Sequence, residues 1–347
     1  MNRFGYIRPQ TLAAAASAAS TTVAEAMVRS PDVDASASGA SAPVIIKAGG
    51  IDVLDLMKEN LLAPSAVVSL AGVGGLDVIE EDADGSLRIG SMATVAGVGS
   101  HPLVAKRYPA LCAALNSAAS PQIRHMATLG GNLLQRPRCW YFRSEAFHCT
   151  RKGGSHCFAM YGENQYHAIF DNDACAMVHP STAATALVAL GAEVGLVDEH
   201  GTTRRVRLED FFVSPARSIQ RENDLGRHEI LTEVRLPRLP ETVRMAYLKQ
   251  GEKDSFDWPL ADVAVVLDFA RDKRCVRASV VLGAAAPVPH RAEAAEHALT
   301  GRRVDENTAA QAAHDALANA RPLANNKYKV PLFETLIRRA LLAAAQR

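Results

Sequence analysis

The chain has 347 residues, of which 48% are hydrophobic and 22% charged, and its formal net charge is +1 at pH 7. This composition is typical of a globular protein and excludes a mainly disordered, collagen-like or coiled-coil chain. Because the charge is balanced, nothing attracts the chain as a whole to nucleic acid or to an anionic membrane, and we expect neither as a partner.

The apolar stretches are shorter than the roughly 20 residues that a membrane-spanning helix needs, so no membrane span is expected. The N-terminal run is rich in Ala, Ser and Thr and lacks the apolar centre of a secretory signal. We therefore expect a cytoplasmic protein. The alternative is a periplasmic protein that is exported together with a partner subunit carrying the signal.

Short apolar runs in the first hundred residues predict alternating strands and helices. Strands are expected at Val44–Lys47, Val67–Leu70 and Leu87–Ile89, and a helix at Asp52–Asn60. A helical region then follows from Val95. Together with an Ala-rich helix before the first strand, these elements predict a small αβαβ unit over residues 1 to about 100.

The second half of the chain is predicted to be richer in strands. A hairpin is expected from two runs around Glu199-His200-Gly201, followed by a strand at Ile230–Leu236 that ends before a proline. Three further apolar runs predict a three-stranded antiparallel sheet, and residues 291–347 are helical in pattern. The strands expected in that sheet are Met245–Lys249, Ala261–Ala270 and Val276–Gly283.

Four of the six cysteines lie close together in a segment without hydrophobic periodicity. They are Cys139, Cys149, Cys157 and Cys175. A loop of this length needs a source of order, and a bound metal is the obvious candidate. The spacing lacks the C-x2-C pairs of most zinc ribbons, and four thiolates bind either Zn²⁺ or a [4Fe–4S] cluster. The residues alone leave these two alternatives open, beside a chance grouping of cysteines in a polar loop.

Cations surround the cysteines in the sequence. Only Glu145 opposes them between residues 136 and 157. The cations are Arg136, Arg138, Arg143, Arg151 and Lys152. We expect this positive charge to offset the negative charge of a four-thiolate site and to lower the pKa values of the thiols.

Two glycine pairs stand where backbone can approach a ligand. Gly49-Gly50 separates the predicted strand from the predicted helix, and Gly130-Gly131 follows Thr128. A helix N-terminus with exposed backbone N–H groups favours an anion. Each pair alone is also an ordinary turn. Together they are able to clamp the two phosphates of a dinucleotide without the G-x-G-x-x-G pattern.

Several segments resemble those of one known family, in the same order over nearly the whole chain. They are VIIKAGGIDVLDLMK, LRIGSMAT, ATLGGNLLQR, EILTEVRLP, YLKQGEKDSFDWPLADVAV and GAAAPVPHR. The chain is similar to the FAD-binding medium subunit of molybdenum hydroxylases of the xanthine dehydrogenase type. The segment LLQRPRCWYFR and the cysteine-rich insertion are similar to a narrower set, the flavin subunits of periplasmic-type aldehyde oxidoreductases and of hydroxybenzoyl-CoA reductase, which carry an additional [4Fe–4S] cluster. The aldehyde oxidoreductase is the nearer of the two.

The resemblance implies an architecture and a role. An FAD-binding domain of two subdomains would occupy residues 1–238, with a [4Fe–4S] insertion at about 136–179, and a C-terminal α+β domain would occupy residues 239–347. Electrons would come from a molybdenum cofactor-binding large subunit through a [2Fe–2S] small subunit to FAD, and would leave to an external acceptor. The alternatives are the flavin subunit of a hydroxybenzoyl-CoA reductase-like or xanthine dehydrogenase-like enzyme, or a flavin-free accessory protein with zinc on four cysteines.

The resemblance also implies binding residues but no catalytic residue on this chain. The four cysteines would hold the cluster. Thr128, Gly131 and Asn132 would contact the second phosphate or the ribityl chain, Ile230 and Leu231 would pack near the isoalloxazine, and Lys249 would lie at its polar edge. The residues expected to wrap the pyrophosphate are Ile45, Ile46, Lys47, Ala48, Gly49, Gly50, Ile51, Asp52 and Val53.

Two positions depart from the family pattern. Ile51 stands where a threonine is frequent, and Thr182 stands where an aspartate usually contacts FAD. Thr182 can replace one hydrogen bond of that carboxylate, which contributes about 1 kcal/mol net. Both departures favour weaker FAD binding and are the features in favour of the flavin-free alternative.

Overall fold

A computed structural model describes residues 1–28, 43–253 and 256–346, and its strands form three sheets. The strands are β1 (Gly5–Ile7), β2 (Val44–Lys47), β3 (Ala66–Ser69), β4 (Ile79–Glu81), β5 (Leu87–Gly90), β6 (Glu193–Val197), β7 (Thr203–Arg207), β8 (Ile230–Leu236), β9 (Val243–Gln250), β10 (Ala261–Phe269), β11 (Cys275–Gly283) and β12 (His290–Arg291). The α-helices are α1 (Leu12–Ala18), α2 (Val23–Val28), α3 (Ile51–Lys58), α4 (Val95–Ser100), α5 (Pro102–Arg107), α6 (Pro109–Asn116), α7 (Pro121–Met126), α8 (Leu129–Leu133), α9 (Thr182–Ala189), α10 (Leu208–Phe211), α11 (Glu293–Leu299), α12 (Glu306–Ala316) and α13 (Lys329–Ala345).

The first sheet places one glycine pair at its edge. Its strands are parallel and lie in the order β1, β3, β2. Parallel neighbours need a crossover, and α3 provides it between β2 and β3. The β-branched residues of β2 suit extended backbone, and Ile45 is fully buried. The chain therefore leaves the carboxyl end of β2 through Gly49-Gly50 directly into α3.

The second sheet is antiparallel and has β8 at its centre, in the order β4, β5, β8, β6, β7. The predicted hairpin is present as β6 and β7, which pair from Glu193–Arg207 to Val197–Thr203. Helices α4, α6, α8 and α9 cover this sheet with a core of small and branched residues. The start of β8, with Ile230 and Leu231, faces the same region as the glycine pairs.

The C-terminal sheet has four strands, so the prediction of three was wrong. Strands β9, β10 and β11 form the predicted meander, and β12 adds a short fourth strand through Val281–Arg291 and Leu282–His290 pairs. A strand of two residues is too short to show period-two alternation, and Pro287 and Pro289 precede it in a run typical of loops.

Strand β10 is buried on both faces. Ala264 and Val266 belong to the core of the second sheet, whereas Val263, Val265 and Leu267 belong to the core formed with α11, α12 and α13. This explains why its sequence is nearly continuously apolar rather than alternating. The two parts of the chain therefore share a hydrophobic contact through this strand.

Helix α13 completes the second core with one apolar face. The face consists of Phe333, Leu336, Ile337, Ala340, Leu341 and Ala344, spaced three or four residues apart. None of the helices within the described residues is both long and apolar enough to cross a membrane.

The cysteine-containing segment, residues 136–179, is held by contacts rather than by long elements. It contains two 3-10 turns, Thr150–Lys152 and Phe158–Met160, and a cluster of aromatic rings around Tyr141. The fully buried Lys329 donates to the carbonyl oxygens of His167 at 3.1 Å and Ala284 at 2.8 Å. The C-terminal part of the chain thus anchors this segment.

We predict that His179 destabilises the fold in mild acid. Burial lowers its pKa to about 3, and its Nδ1 accepts a hydrogen bond from the Ser181 N–H at 3.3 Å, so the native imidazole is neutral. The unfolded chain binds a proton near pH 6.5, so the free energy of unfolding should fall by about 1.4 kcal/mol per pH unit below that pH.

Urea unfolding at several pH values between about 6.5 and 4 measures this slope. His179→Gln should remove the contribution of one proton to this slope, about 1.4 kcal/mol per pH unit. The matched change His200→Gln, at an exposed histidine, should leave it as in the wild type. Equal slopes for the wild type and His179→Gln would contradict the assignment.

Candidate functional site

A cleft of ≈ 450 Å³ lies where the first two sheets meet the loop after β9. Fourteen of the sixteen residues expected to bind the cofactor line it. They are Ile46, Ala48, Gly49, Gly50, Ile51, Asp52, Val53, Thr128, Gly131, Asn132, Thr182, Ile230, Leu231 and Lys249. Residues from five separate parts of the sequence therefore converge on one site.

The two remaining residues, Ile45 and Lys47, do not line the cleft. Ile45 is fully buried in a different apolar cluster, and the Lys47 ammonium donates to the Ala48 carbonyl at 3.1 Å. The reason is strand alternation, because successive side chains of β2 point to opposite faces. Of the four residues from Ile45 to Ala48, only Ile46 and Ala48 line the cleft.

The glycine pairs abut one another. A Cβ at Gly49 would collide with the carbonyl of Met126, the last residue of α7, and a Cβ at Gly131 would lie 3.7 Å from that of Ala48. Gly50 has φ of 89°, a left-handed conformation that disfavours other residues. The absence of side chains here is what allows the two loops to approach and leaves α3 open at its N-terminus.

The polar residues of the second loop already have local partners. Thr128 Oγ1 accepts from the Gly131 N–H at 3.1 Å and caps α8, and Asn132 Oδ1 accepts from Ser181 Oγ at 2.6 Å. Thr182 Oγ1 donates to the Ala114 carbonyl at 3.4 Å. These contacts fix the wall of the cleft.

Lys249 is positioned by two carbonyl groups. Its Nζ donates to Ser117 O at 2.7 Å and to Asp257 O at 2.6 Å. Burial lowers its pKa, and the carboxylates of Asp262 and Asp257 oppose that effect. The ammonium therefore also ties the loop after β9 to the end of α6.

Several residues that line the cleft were not expected from the sequence. Arg136 is only 2% exposed, and its Nε and Nη2 have no hydrogen-bond partner among the described residues. Arg138 lies over the Trp258 ring at 5.1 Å. Unpartnered buried donors are rare. Together with the glycine backbone, the positive charges of Arg136 and Arg138 make the cleft suited to an anionic group such as a pyrophosphate.

The four cysteines receive a common type of contact. A hydrogen bond between Cys157 and Cys175 raises the pKa of Cys157 and lowers that of Cys175, and backbone N–H groups act on all four thiols to lower their pKa values against the effect of burial. The donors belong to Tyr141 and Phe142 for Cys139, to Arg151 and Lys152 for Cys149, to Ala159 and Ala176 for Cys157, and to Met177 for Cys175.

Side chains add to these contacts. Arg151 Nε donates to Cys175 Sγ at 3.3 Å, and His167 Nε2 lies 3.2 Å from Cys139 Sγ. The hydrogen bond from Cys157, with the charge of Arg151, lowers the pKa of Cys175 to about 6 despite its burial. Burial raises the pKa of Cys139 to about 12. The environment thus favours a thiolate at Cys175 but not at every cysteine.

The described residues, which include all four cysteines, contain no group of three Cys, His, Asp or Glu side chains arranged to hold a metal ion. The structure brings the cysteines into one neighbourhood without a metal-binding geometry. The cluster therefore stays a prediction.

Comparison with known families identifies the chain. Residues 2–239 match the sequence model of the FAD binding domain in molybdopterin dehydrogenase, and residues 246–344 match that of the CO dehydrogenase flavoprotein C-terminal domain. The chain belongs to the FAD-binding subunits of the molybdenum hydroxylases. This flavin subunit is thus an oxidoreductase subunit, as its resemblance implied.

Two curated relatives align over most of the flavin subunit. The aldehyde oxidoreductase FAD-binding subunit PaoB of Escherichia coli is 35% identical over 300 residues, 86% of this chain and 90% of that protein. The nicotine 6-hydroxylase medium subunit of Paenarthrobacter nicotinovorans is 29% identical over 309 residues, 87% of this chain and 90% of that protein.

Solved structures share the fold. The match to CO dehydrogenase from Oligotropha carboxidovorans covers 100% of this chain and 99% of that chain, with a TM-score of 0.72 at 24% identity. The match to quinoline 2-oxidoreductase from Pseudomonas putida covers 99% of this chain and 98% of that chain, with a TM-score of 0.71 at 25% identity.

We predict that Gly50→Val abolishes FAD retention. A β-branched residue is strained at φ of 89°, and its side chain would meet Lys47 and Leu54 at the mouth of α3. The ratio of flavin absorbance near 450 nm to protein absorbance measures occupancy.

Gly74→Ala is the matched control, since a Cβ there meets nothing within 4 Å. It should retain FAD at the wild-type ratio. Full occupancy in Gly50→Val would mean that the first glycine pair is only a turn.

Proposed function

We propose that the flavin subunit carries FAD and a [4Fe–4S] cluster in a molybdenum-dependent aldehyde oxidoreductase. The similarity to an aldehyde oxidoreductase FAD-binding subunit over 300 residues supports the aldehyde class. The molybdenum centre would lie on a large subunit and [2Fe–2S] centres on a small one, and electrons would leave this chain to an external acceptor.

The cleft residues support FAD binding by the roles that their chemistry permits. Gly49 and Gly50 expose backbone N–H groups to a pyrophosphate, and the Arg136 guanidinium adds positive charge. Ile230 and Leu231 form an apolar wall for a flat ring, and the Lys249 ammonium stabilises negative charge at its edge. Bound FAD supplies the exchange between one-electron and two-electron transfer.

The observation that carries the cluster proposal is the presence of cationic and imidazole nitrogens beside the sulfurs: Arg151 Nε donates to Cys175 Sγ at 3.3 Å, and His167 Nε2 lies 3.2 Å from Cys139 Sγ. Hydrogen bonds to sulfur are one of the means by which proteins stabilise iron–sulfur clusters. Arg151 adds a further donor, because its Nη2 has no partner among the described residues. These donors fit a group with net negative charge between the thiolates.

Purification of the whole complex tests the proposal. We expect a molybdenum-containing subunit and a [2Fe–2S] subunit to co-purify, with a flavin band and a broad iron–sulfur shoulder in the visible spectrum. A colourless protein containing zinc would contradict it and favour the flavin-free alternative.

We predict that Cys157→Ser removes the cluster iron, because one of the four thiolate ligands is lost. Iron bound to the isolated chain should fall from about four atoms to fewer than one. Cys112→Ser is the control, since the Cys112 thiol donates to the Gly99 carbonyl, far along the chain from the other four. An unchanged iron content in Cys157→Ser would rule out the ligand assignment.

We predict that Lys249→Ala slows reoxidation of the reduced flavin by about tenfold, which corresponds to about 1.4 kcal/mol. Reduction of the molybdenum centre by aldehyde should be unchanged, because that chemistry lies on another polypeptide. Rapid-mixing kinetics separate the two half-reactions, and Lys249→Arg should restore most of the rate. Equal losses in both half-reactions would show that Lys249 does not act at the flavin.

A further inference from the structure

Strand β10 carries a carboxyl group inside an apolar core. Asp262 lies on the same face of the strand as Ala264 and Val266, because side chains alternate along a strand, and it is only 1% exposed. That face packs against α9. Aspartate is almost never fully buried unless its charge is compensated. The neighbouring strands and helices must therefore provide the groups that compensate it.

The two neighbouring strands place a glycine and a lysine beside Asp262. Its direct cross-strand partners are Gly283 on β11 and Lys249 on β9. A Cβ at Gly283 would collide with both carboxylate oxygens of Asp262 and with Thr185 Oγ1. The glycine therefore leaves the space in which the carboxyl group meets the threonine of α9.

Two polar atoms in this group have no hydrogen-bond partner among the described residues. They are Asp262 Oδ1 and the hydroxyl of Tyr247, which lies two residues before Lys249 on β9 and so shares its face. Unpartnered buried polar atoms are rare. A proton on Asp262 Oδ1 would remove both exceptions, because the new O–H group is a donor and the phenol oxygen accepts.

Two ammonium groups face the Asp262 carboxyl group from different elements. They belong to Lys249 on β9 and to Lys329 at the start of α13. Burial raises the pKa of Asp262 to about 7, and both ammonium groups and the hydroxyls of Thr185 and Tyr247 oppose this effect. The surroundings therefore permit both the charged and the neutral form of the carboxyl group.

The hydroxyl of Tyr247 connects Asp262 to the cleft. Lys249 and Thr182 line the cleft, whereas Asp262 does not. Burial and the Asp262 carboxylate raise the pKa of Tyr247, and the Thr182 hydroxyl lowers it, so the phenol lies near both groups. Asp262 is thus located directly behind the cleft wall.

Lys249 is the charge through which Asp262 acts on the cleft. The Lys249 Nζ is held by the carbonyls of Ser117 and Asp257. Burial lowers its pKa, Asp262 and Asp257 raise it, and Arg124 lowers it. An ionised Asp262 offsets the positive charge that Lys249 offers to the cleft, whereas a neutral Asp262 leaves that charge uncompensated.

We propose that Asp262 is a positioning residue that acts on bound FAD through Lys249, by taking up a proton when FAD is reduced. This inference rests on the proposed function, in which the electrons come from the partner subunits. Asp262 Oδ1 takes one proton from solvent and forms an O–H bond, and reoxidation releases the same proton. While Asp262 is neutral, the full charge of Lys249 stabilises the negative charge that reduction adds to the cleft.

Spectroelectrochemical titration of the holo-complex at several pH values tests the proposal, with the flavin followed by its visible absorbance. One extra proton per two electrons changes the reduction equilibrium tenfold per pH unit, which is about 30 mV. Asp262→Asn should remove this contribution. Its midpoint potential should equal that of the wild type near about pH 5 and exceed it increasingly toward about pH 8, where the wild type carries a negative charge that the variant lacks.

Two further measurements locate the proton. Infrared difference spectra of the wild type should show the carbonyl band of a protonated carboxyl group on reduction, and Asp262→Asn should lack this band. Tyr247→Phe removes a hydroxyl that lowers the pKa of Asp262. It should therefore move the region of proton uptake to higher pH.

Asp268→Asn is the matched control on the same strand. Asp268 lies at the end of β10 that is far from Lys249 and accepts a hydrogen bond from Thr242 Oγ1 at 2.6 Å. The flavin potential of this variant should follow that of the wild type at every pH.

Parallel curves of potential against pH for the wild type and Asp262→Asn would overturn the role of Asp262, because a merely structural substitution shifts the potential equally at all pH values. If Asp262→Asn does not retain FAD, an unchanged curve in Tyr247→Phe would have the same meaning. A wild-type complex without flavin would instead overturn the proposed function.

Discussion

The carboxylate of Asp52 is the contact on which both sites depend. Its Oδ1 accepts from Arg143 at 2.6 Å and from Arg138 at 2.9 Å, and its Oδ2 accepts from the Arg136 backbone. Asp52 lies in the first turn of α3, where a negative charge also interacts favourably with the helix dipole. It therefore fixes the helix that follows the first glycine pair against the start of the cysteine-containing segment.

The cations of the segment have partners that the local sequence does not reveal. The expectation that they surround the thiolates holds for Arg151, whereas Arg138 and Arg143 pair with Asp52 and Asp55 on α3. These carboxylates lie more than eighty residues away along the chain. The number of cations near the cysteines in sequence therefore overestimates the positive charge that acts on the thiols. Only the fold shows which charges are already paired.

Features determined by neighbouring residues were predictable from the sequence. The Gly49-Gly50 turn, the strand before it and the helix after it are local. The resemblance also pointed to Lys249, whose position depends in part on the Ser117 carbonyl, 132 residues away in sequence. Glu222, which lines the cleft, carried no local signal, because the two arginines that it pairs with are brought to it by tertiary packing. Whether the site residues bind FAD as expected stays a prediction.

The two-faced burial of β10 has a consequence for how the chain is made on the ribosome. The core around the second sheet is completed by Val243, Met245 and Ala264, and Lys249 and Trp258 close one side of the cleft. Residues 1–238 leave the ribosome first, but their apolar surface is covered only after β10 has been synthesised. A nascent chain stalled at the boundary between the two family domains would expose that surface to chaperones, and the cleft would lack the side that Lys249 and Trp258 form.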